Sequence, residues 1–240
     1  MMCHFLRSPI RIRFHKPIAM HQNGNQARPC SPLSKLPGIL AAVLVFGIFS
    51  AAGADRPNVI FILTDDLGFS DIGCYGAKKV ATPNIDRMAR EGLRFTHFHT
   101  AASICSPSRA AFLTGAYPQR CGLYMGINPN RKAHWFLGLS PDEITIAEQF
   151  KASGYDTFMV GKWHLGTEPE LLPRKQGFDH YYGMPCNFAH SPKFFDDDAE
   201  VFATTPLDQL TALYTRRICS IIRKESQTDQ PFFLYYAHNY

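Results

Sequence analysis

Three short stretches of this 240-residue chain carry side chains that could do chemistry. Residues 105–115 read Cys-Ser-Pro-Ser-Arg-Ala-Ala-Phe-Leu-Thr-Gly, setting Cys105, Pro107 and Arg109 at alternate positions ahead of an apolar helix start. Proline has a fixed φ and no N–H, so it suits a first helical turn and places Cys105 at or just before a helix N-terminus. Free N–H groups and the helix dipole favour an anion there, which lowers a thiol's pKa and raises its reactivity. The second stretch is Asp65-Asp66. Adjacent carboxylates repel each other unless a cation or hydrogen bonds neutralise them, which suits a hard divalent ion with oxygen ligands. The third is Lys162-Trp163-His164, where alternation along an extended exit points Lys162 and His164 to one side. Each has an ordinary reading too: a turn or cap for the aspartates, a helical ion pair for Arg109, a structural Cys105.

The elements that must position these residues can be read from apolar patterning. Residues 58–63, Asn-Val-Ile-Phe-Ile-Leu, form a continuous apolar run expected to be a parallel strand buried on both faces and ending at the aspartates. Thr82-Pro83 opens a helix that Gly92 closes, and residues 93–99 alternate like a strand. The helix holding Arg109 ends at Gly115. Ser140-Pro141-Asp142-Glu143 reads as a capping box opening a helix to Phe150, closed at Gly154. Residues 155–160 form the strand that delivers Lys162 and His164. Thr205-Pro206 opens a last helix, with Leu207, Leu210, Tyr214, Ile218 and Ile221 on one face, and a final apolar strand follows. Residues 123–139 and 168–203 lack periodicity and are expected to be long surface loops. Alternating strands and helices predict an α/β fold with a largely parallel central sheet flanked by helices. Ligands bind at the carboxyl ends of strands in such sheets, where both Asp65-Asp66 and Lys162-x-His164 fall.

Residues 1–54 hold six Lys or Arg and no acidic residue, leaving 19 basic against 20 acidic residues in the rest. The basic pI therefore belongs to the leader and gives no reason to expect nucleic-acid binding. A basic region, the apolar run at 38–49 and Ala-Gly-Ala read as a signal peptide cleaved near Ala54, with translation starting at Met1 or Met20. The run is shorter than the roughly 20 residues of a membrane span, so any membrane contact is expected only through this segment. The predicted mature chain, 55–240, is exported to the periplasm or the exterior and keeps Cys74, Cys105, Cys121, Cys186 and Cys219. An odd count invites one modified thiol, Cys105, while pairing of the other four stays open.

Cys105-x-Pro107-x-Arg109 with its Leu113-Thr114-Gly115 extension resembles the signature of the sulfatase family. Further blocks follow in the family's order: 56–59 with 65–68, 144–166 including Gly-Lys-Trp-His-Leu-Gly, and Gln176-Gly177-Phe178-Asp179. The likeness spans residues 56–240. It implies an arylsulfatase-like, alkaline-phosphatase-like fold that hydrolyses sulfate esters of aryl groups or sugars. It also implies that a formylglycine-generating or equivalent maturation enzyme oxidises Cys105 to Cα-formylglycine, whose hydrate is the nucleophile. One hydroxyl of the hydrate displaces the alcohol from sulfur, and collapse of the second expels sulfate. By the same resemblance Asp65, Asp66 and the converted Cys105 surround a divalent ion, usually calcium. Arg109 orients the hydrate, and Lys162 and His164 contact the sulfate ester and its leaving oxygen, with His164 as an acid for the departing alcohol.

The family also has a later histidine just past the Phe-Phe-Leu-Tyr-Tyr-Ala strand, an Asp-Asn pair and another lysine. By spacing that histidine falls beyond Tyr240, so His238 is not assigned, and the chain is expected to be the N-terminal part of a longer catalytic domain. Three other readings stay open: a phosphodiester or phosphonate monoester hydrolase of the same superfamily, a catalytically inactive fragment that binds sulfated glycans, and a hydrolase that uses Cys105 as a thiol. Natural substrate, exo or endo action and oligomeric state are not written in the sequence.

Overall fold

The computed structural model describes residues 56–127, 138–187, 193–202 and 206–240. The expected leader, Thr205 and parts of both expected loops lie outside the described residues. Pro57–Tyr240 forms one compact unit. Among the described residues six strands build one mixed sheet: β1 (Val59–Leu63), β2 (Asp156–Lys162), β3 (His180–Met184), β4 (Phe194–Asp196), β5 (Ala199–Phe202) and β6 (Phe232–Ala237). Their order is β1-β6-β2-β3-β4-β5. The first four in that order run parallel, and the β3–β4 and β4–β5 pairs are antiparallel. This is the expected α/β fold.

β2 and β6 are central, and every residue in them except Asp156 and Tyr236 is buried. Helices α2 (Cys105–Thr114) and α3 (Ile146–Ala152) cover one face, where Ala110, Leu113 and Ala147 pack with Met159, Tyr181, Phe233 and Tyr235. Helix α4 (Leu210–Glu225) covers the other through Leu210, Tyr214 and Ile218, packed on Phe158, Val160, Phe232 and Leu234. Full burial of each such side chain stabilises the fold by roughly 1.5–3 kcal/mol. Leu207, expected on that same face, lies instead in a 3-10 turn, Leu207–Gln209, and is exposed.

Several expectations are corrected. The helix predicted from Ser140 starts at Ile146, because two Ser/Thr-x-x-Glu patterns compete and Thr145 with Glu148 wins. Thr145 Oγ1 accepts from Glu148 N (3.2 Å), and Glu148 Oε2 accepts from Thr145 N (2.7 Å). Residues 140–143 form only a turn, Glu143 N to Ser140 O, 3.1 Å. Helix α1 (Pro83–Glu91) occurs as predicted, but residues 93–99 form no strand, and Leu93, Phe95 and Phe98 are exposed. Alternation makes a strand only where a ladder partner exists, and this segment has none among the described residues.

The stretch expected as a loop at 168–203 holds β3, β4 and β5. β3 is His-Tyr-Tyr-Gly-Met, without an aliphatic run, and the other two are too short for periodicity to register. In the other expected loop Leu123, Ile127 and Leu139 are buried, and Leu139 N donates to Leu165 O (2.8 Å).

β1 is an edge strand, not one covered on both faces. Val59, Phe61 and Leu63 face the α2 side, whereas Ile60 and Ile62 on the α4 side are 41% and 52% exposed. An apolar, unpaired edge promotes association. Ile62→Lys should therefore reduce self-association in sedimentation velocity while changing stability by no more than about 0.5 kcal/mol. Unchanged association, or loss of cooperative unfolding, would refute this.

Candidate active site

The carboxyl ends of β1, β2 and β6 meet at one point. Asp65 leaves β1, Lys162 ends β2, and His238 follows β6, with His238 N donating to Leu63 O (2.8 Å) and Asp65 N to Tyr240 O (3.0 Å). Arg109 reaches this point from α2, whose first residue is Cys105, half-buried and preceded by Ile104 as N-cap. The sequence reading set Cys105 at or just before the helix N-terminus, and it is the first helical residue. Pro107 lies in the first turn, where its missing N–H breaks no helical bond, and Gly115 at φ +66 ends the helix.

Asp65 is the hub. Its Oδ2 accepts from Lys162 Nζ (2.5 Å) and its Oδ1 from Arg109 Nη2 (3.1 Å). Arg109 also donates to the carbonyls of Lys162 (Nη1, 2.6 Å) and His238 (Nη2, 3.3 Å). Arg109 and Lys162 are each only 1% exposed. Burial alone would raise the Asp65 pKa, but the Lys162 hydrogen bond and the two cationic charges outweigh it, leaving the carboxyl below its ordinary value. Asp66, by contrast, is exposed.

His164 is 3% exposed and sits at φ +58, a left-handed conformation that breaks the strand alternation with Lys162. Its Nε2 lies 3.0 Å from Ile127 O, and Nδ1 is buried with no hydrogen-bond partner among the described residues. Desolvation, with the charges of Lys162 and then Arg109, lowers its pKa to about 4. The imidazole is therefore neutral at pH 7. A carbonyl can only accept, so the ring proton is on Nε2, and Nδ1 presents a lone pair.

Neutral burial of His164 links stability to pH. Between the folded pKa near 4 and the unfolded value of 6.5 the unfolded chain binds more protons, so stability rises with pH across that window, by about 3 kcal/mol. Asparagine tolerates left-handed backbone, so His164→Asn is the control. The parent-minus-variant difference in urea midpoints should grow from pH 4 to 6.5 and then level off. A flat difference would overturn the assignment.

Asp65 and Asp66 carry hard oxygen donors of the kind a calcium ion takes, with both Asp65 oxygens paired to Arg109 and Lys162 and Asp66 exposed. Among the described residues no group of three or more His, Cys, Asp or Glu converges as a metal site. Among the described residues no disulfide joins the five cysteines. Sequence reasoning missed the Ile127 carbonyl on His164, the Ser106 hydroxyl that accepts from Ile127 N (3.1 Å), and the His238 carbonyl on Arg109. Main-chain acceptors have no side-chain signal, so only tertiary structure could reveal the two carbonyls. Ser106 stood beside Cys105 but was given no role.

Cys105 thus opens the helix from which Arg109 reaches Asp65 and Lys162 at the carboxyl ends of the parallel strands. The sulfatase family model matches residues 57–239, and the chain belongs to the sulfatase family. It is 36% identical over 230 residues to rat (Rattus norvegicus) N-acetylgalactosamine-6-sulfatase, covering 87% of this chain and 44% of that one. It is 39% identical over 216 residues to human (Homo sapiens) arylsulfatase A, covering 79% and 42%. Among solved structures, Ps i-CgsB in complex with k-i-k-neocarrahexaose superposes with a TM-score of 0.68 at 31% identity, covering 77% of this chain and 45% of that one. The chain spans a little under half the length of the curated relatives it matches.

Proposed function

We propose that this chain carries the nucleophile-bearing part of a sulfate-ester hydrolase acting on aryl or carbohydrate sulfates. The observation that carries the reading is the convergence of Arg109 and Lys162 on Asp65 in the same unit that sets Cys105 at the start of α2. A sulfate monoester is an anion approached by a nucleophile, and two buried cations with a helix N-terminus offset that charge. Converted to formylglycine, Cys105 supplies a hydrated aldehyde as nucleophile and an exit route for sulfate. Asp65 and Asp66, with the converted Cys105, would hold the divalent ion, calcium in this reading, which adds positive charge to the sulfate pocket.

Arg109, anchored by two main-chain carbonyls, keeps its position whether or not substrate is bound. Lys162 neutralises the anion, bonds Asp65, and its charge helps keep His164 neutral. His164, with its Nε2 proton committed to Ile127, can accept a proton or hydrogen bond at Nδ1. That role differs from the proton donor expected for the departing alcohol, which would need a second proton on the ring. Residues 1–54 act as a signal peptide in this reading, 55–240 belong to the catalytic domain, and a maturation enzyme for Cys105 is exported or co-resident. No described helix is long and apolar enough to cross a membrane.

The test uses protein isolated from its own host. Peptide mass spectrometry reads the state of Cys105, and turnover is compared between 4-nitrophenyl sulfate and bis(4-nitrophenyl) phosphate. An aldehyde at 105 with preference for the sulfate supports the reading. Preference for the phosphate diester makes the protein a phosphodiesterase of the same architecture, and a native, active thiol at 105 overturns the aldehyde mechanism.

A further inference from the structure

Ser106, next to Cys105, takes no part in the proposed reaction, yet its hydroxyl is bonded far from its own helix. A serine in a first helical turn ordinarily bonds nearby main-chain groups. Here the N-cap, Ile104, makes no side-chain cap bond, and the fully buried Ser106 accepts instead from Ile127 N, 21 residues away (3.1 Å).

The residue that Ser106 holds is the one that holds His164. Ile127 O accepts from His164 Nε2 (3.0 Å), and the Ile127 side chain is buried in the core cluster that contains Ala110, Trp163 and Leu165. Ile127 is therefore fixed three ways: by its N–H on Ser106, by its carbonyl on the imidazole and by its side chain in the core. Both hydrogen bonds are buried, so breaking either one leaves an unsatisfied polar group.

His164 needs such a fixture. Its N–H donates to Pro185 O (3.1 Å), and Trp163 N donates to Met184 O (2.9 Å). Those bonds and the φ of +58 place the main chain, but a neutral imidazole can still turn and carry its proton on either nitrogen. Among the described residues the Ile127 carbonyl is the ring's hydrogen-bond partner, and Nδ1 has none. A carbonyl can only accept, so it selects the Nε2–H form and leaves the lone pair on Nδ1.

We propose that Ser106 is a positioning residue for His164, acting through the main chain of Ile127. The hydroxyl holds the Ile127 N–H, and the Ile127 carbonyl then stands where the imidazole Nε2–H must donate. The neighbour of Cys105 thereby fixes which ring nitrogen of His164 is free to accept. The two bonds bridge 21 and 37 positions of sequence, so no local pattern announces the link. The inference rests on the proposed function only for the use made of Nδ1, because the hydrogen bonds and the tautomer do not depend on the reaction.

The test compares the full chain with its Ser106→Ala and Ser106→Thr variants. Alanine removes the acceptor and suits a helix better than serine, so the fold is kept. Threonine keeps the hydroxyl. Long-range ¹H–¹⁵N correlation spectra at pH 7 report which nitrogen of His164 carries the proton. The parent and Ser106→Thr should show Nε2–H alone. Ser106→Ala should show a second, Nδ1–H form, and its ring N–H should exchange with solvent about tenfold faster. A serine that merely anchors the main chain would lower the unfolding midpoint in Ser106→Ala and leave tautomer and exchange as in the parent. That result overturns the proposal. So does a Ser106→Thr variant that behaves as Ser106→Ala, because the effect then belongs to packing and not to the hydroxyl.

In enzyme produced in its own host, Ser106→Ala should cut kcat for 4-nitrophenyl sulfate about tenfold or more, with KM little changed. The rate is counted per converted Cys105, read by peptide mass spectrometry on the same sample. A changed tautomer in a protein that turns over no sulfate ester keeps the link and refutes the sulfatase reading. Turnover with an unchanged tautomer keeps that reading and overturns the link.

Discussion

Asp65→Ala is expected to lower stability by about 3–5 kcal/mol, because it strands two buried cations at once. Arg109 and Lys162 are almost wholly enclosed, and each pairs with one oxygen of this one carboxylate. The remaining hydrogen bonds of Arg109 go to neutral carbonyls, which orient a guanidinium without cancelling its charge. Denaturant titration at pH 7 checks the size of the effect. Adding Lys162→Met to the Asp65→Ala chain should restore part of the loss, since one of the stranded charges is then gone. A loss below about 1 kcal/mol, or no recovery in the double variant, would mean that solvent reaches the cations and that the ion-pair hub is not structural. The lowered Asp65 pKa has the matching sign: its contribution is complete above the ordinary carboxylate value and is lost as pH falls through the folded one.

Cys105→Ser is expected to have the largest effect on activity: no repeated turnover of a sulfate ester, with stability within about 1 kcal/mol of the parent. Serine nearly matches cysteine in size at this half-buried first position of α2, so the helix and its N-terminal N–H groups persist. What is lost is the aldehyde hydrate. A serine ester of sulfate has no second hydroxyl whose collapse could release the sulfate, so the reaction stops after at most one equivalent of alcohol. Stopped-flow measurement of alcohol release against enzyme concentration separates a single burst from steady turnover. Steady turnover at the parent rate would refute the formylglycine mechanism, and an unfolded variant would instead show that Cys105 supports the helix start.

Much of the arrangement was legible because its signals are local. The proline in the first turn and Gly115 after the last marked the helix that begins at Cys105. An apolar run marked β6, and the alternation of elements marked the α/β class. The failures share a physical cause. The Ser140 and Thr145 capping patterns are equivalent as local sequence, and only the Thr145 Oγ1 bond to Gln176 O, 31 residues away, adds a tertiary contact to one of them. β1 reads as a buried strand because its residues are apolar, but burial depends on what packs over it, and Ile60 and Ile62 on its α4 side stay about half exposed.

The sequence by itself determined which groups are present and how each is presented: a cysteine at a helix N-terminus, an arginine one turn later, and carboxylates and a lysine at strand ends. Backbone sterics and apolar periodicity act over a few residues, so these features survive reading in one dimension. The tertiary structure alone decided the partnerships. Asp65 meets Arg109 across 44 positions and Lys162 across 97, and strand order brings β1 and β2 against opposite sides of β6. The same packing decided that His164 is neutral, because desolvation and the nearby cations set its proton affinity, and neither is a property of the residue type.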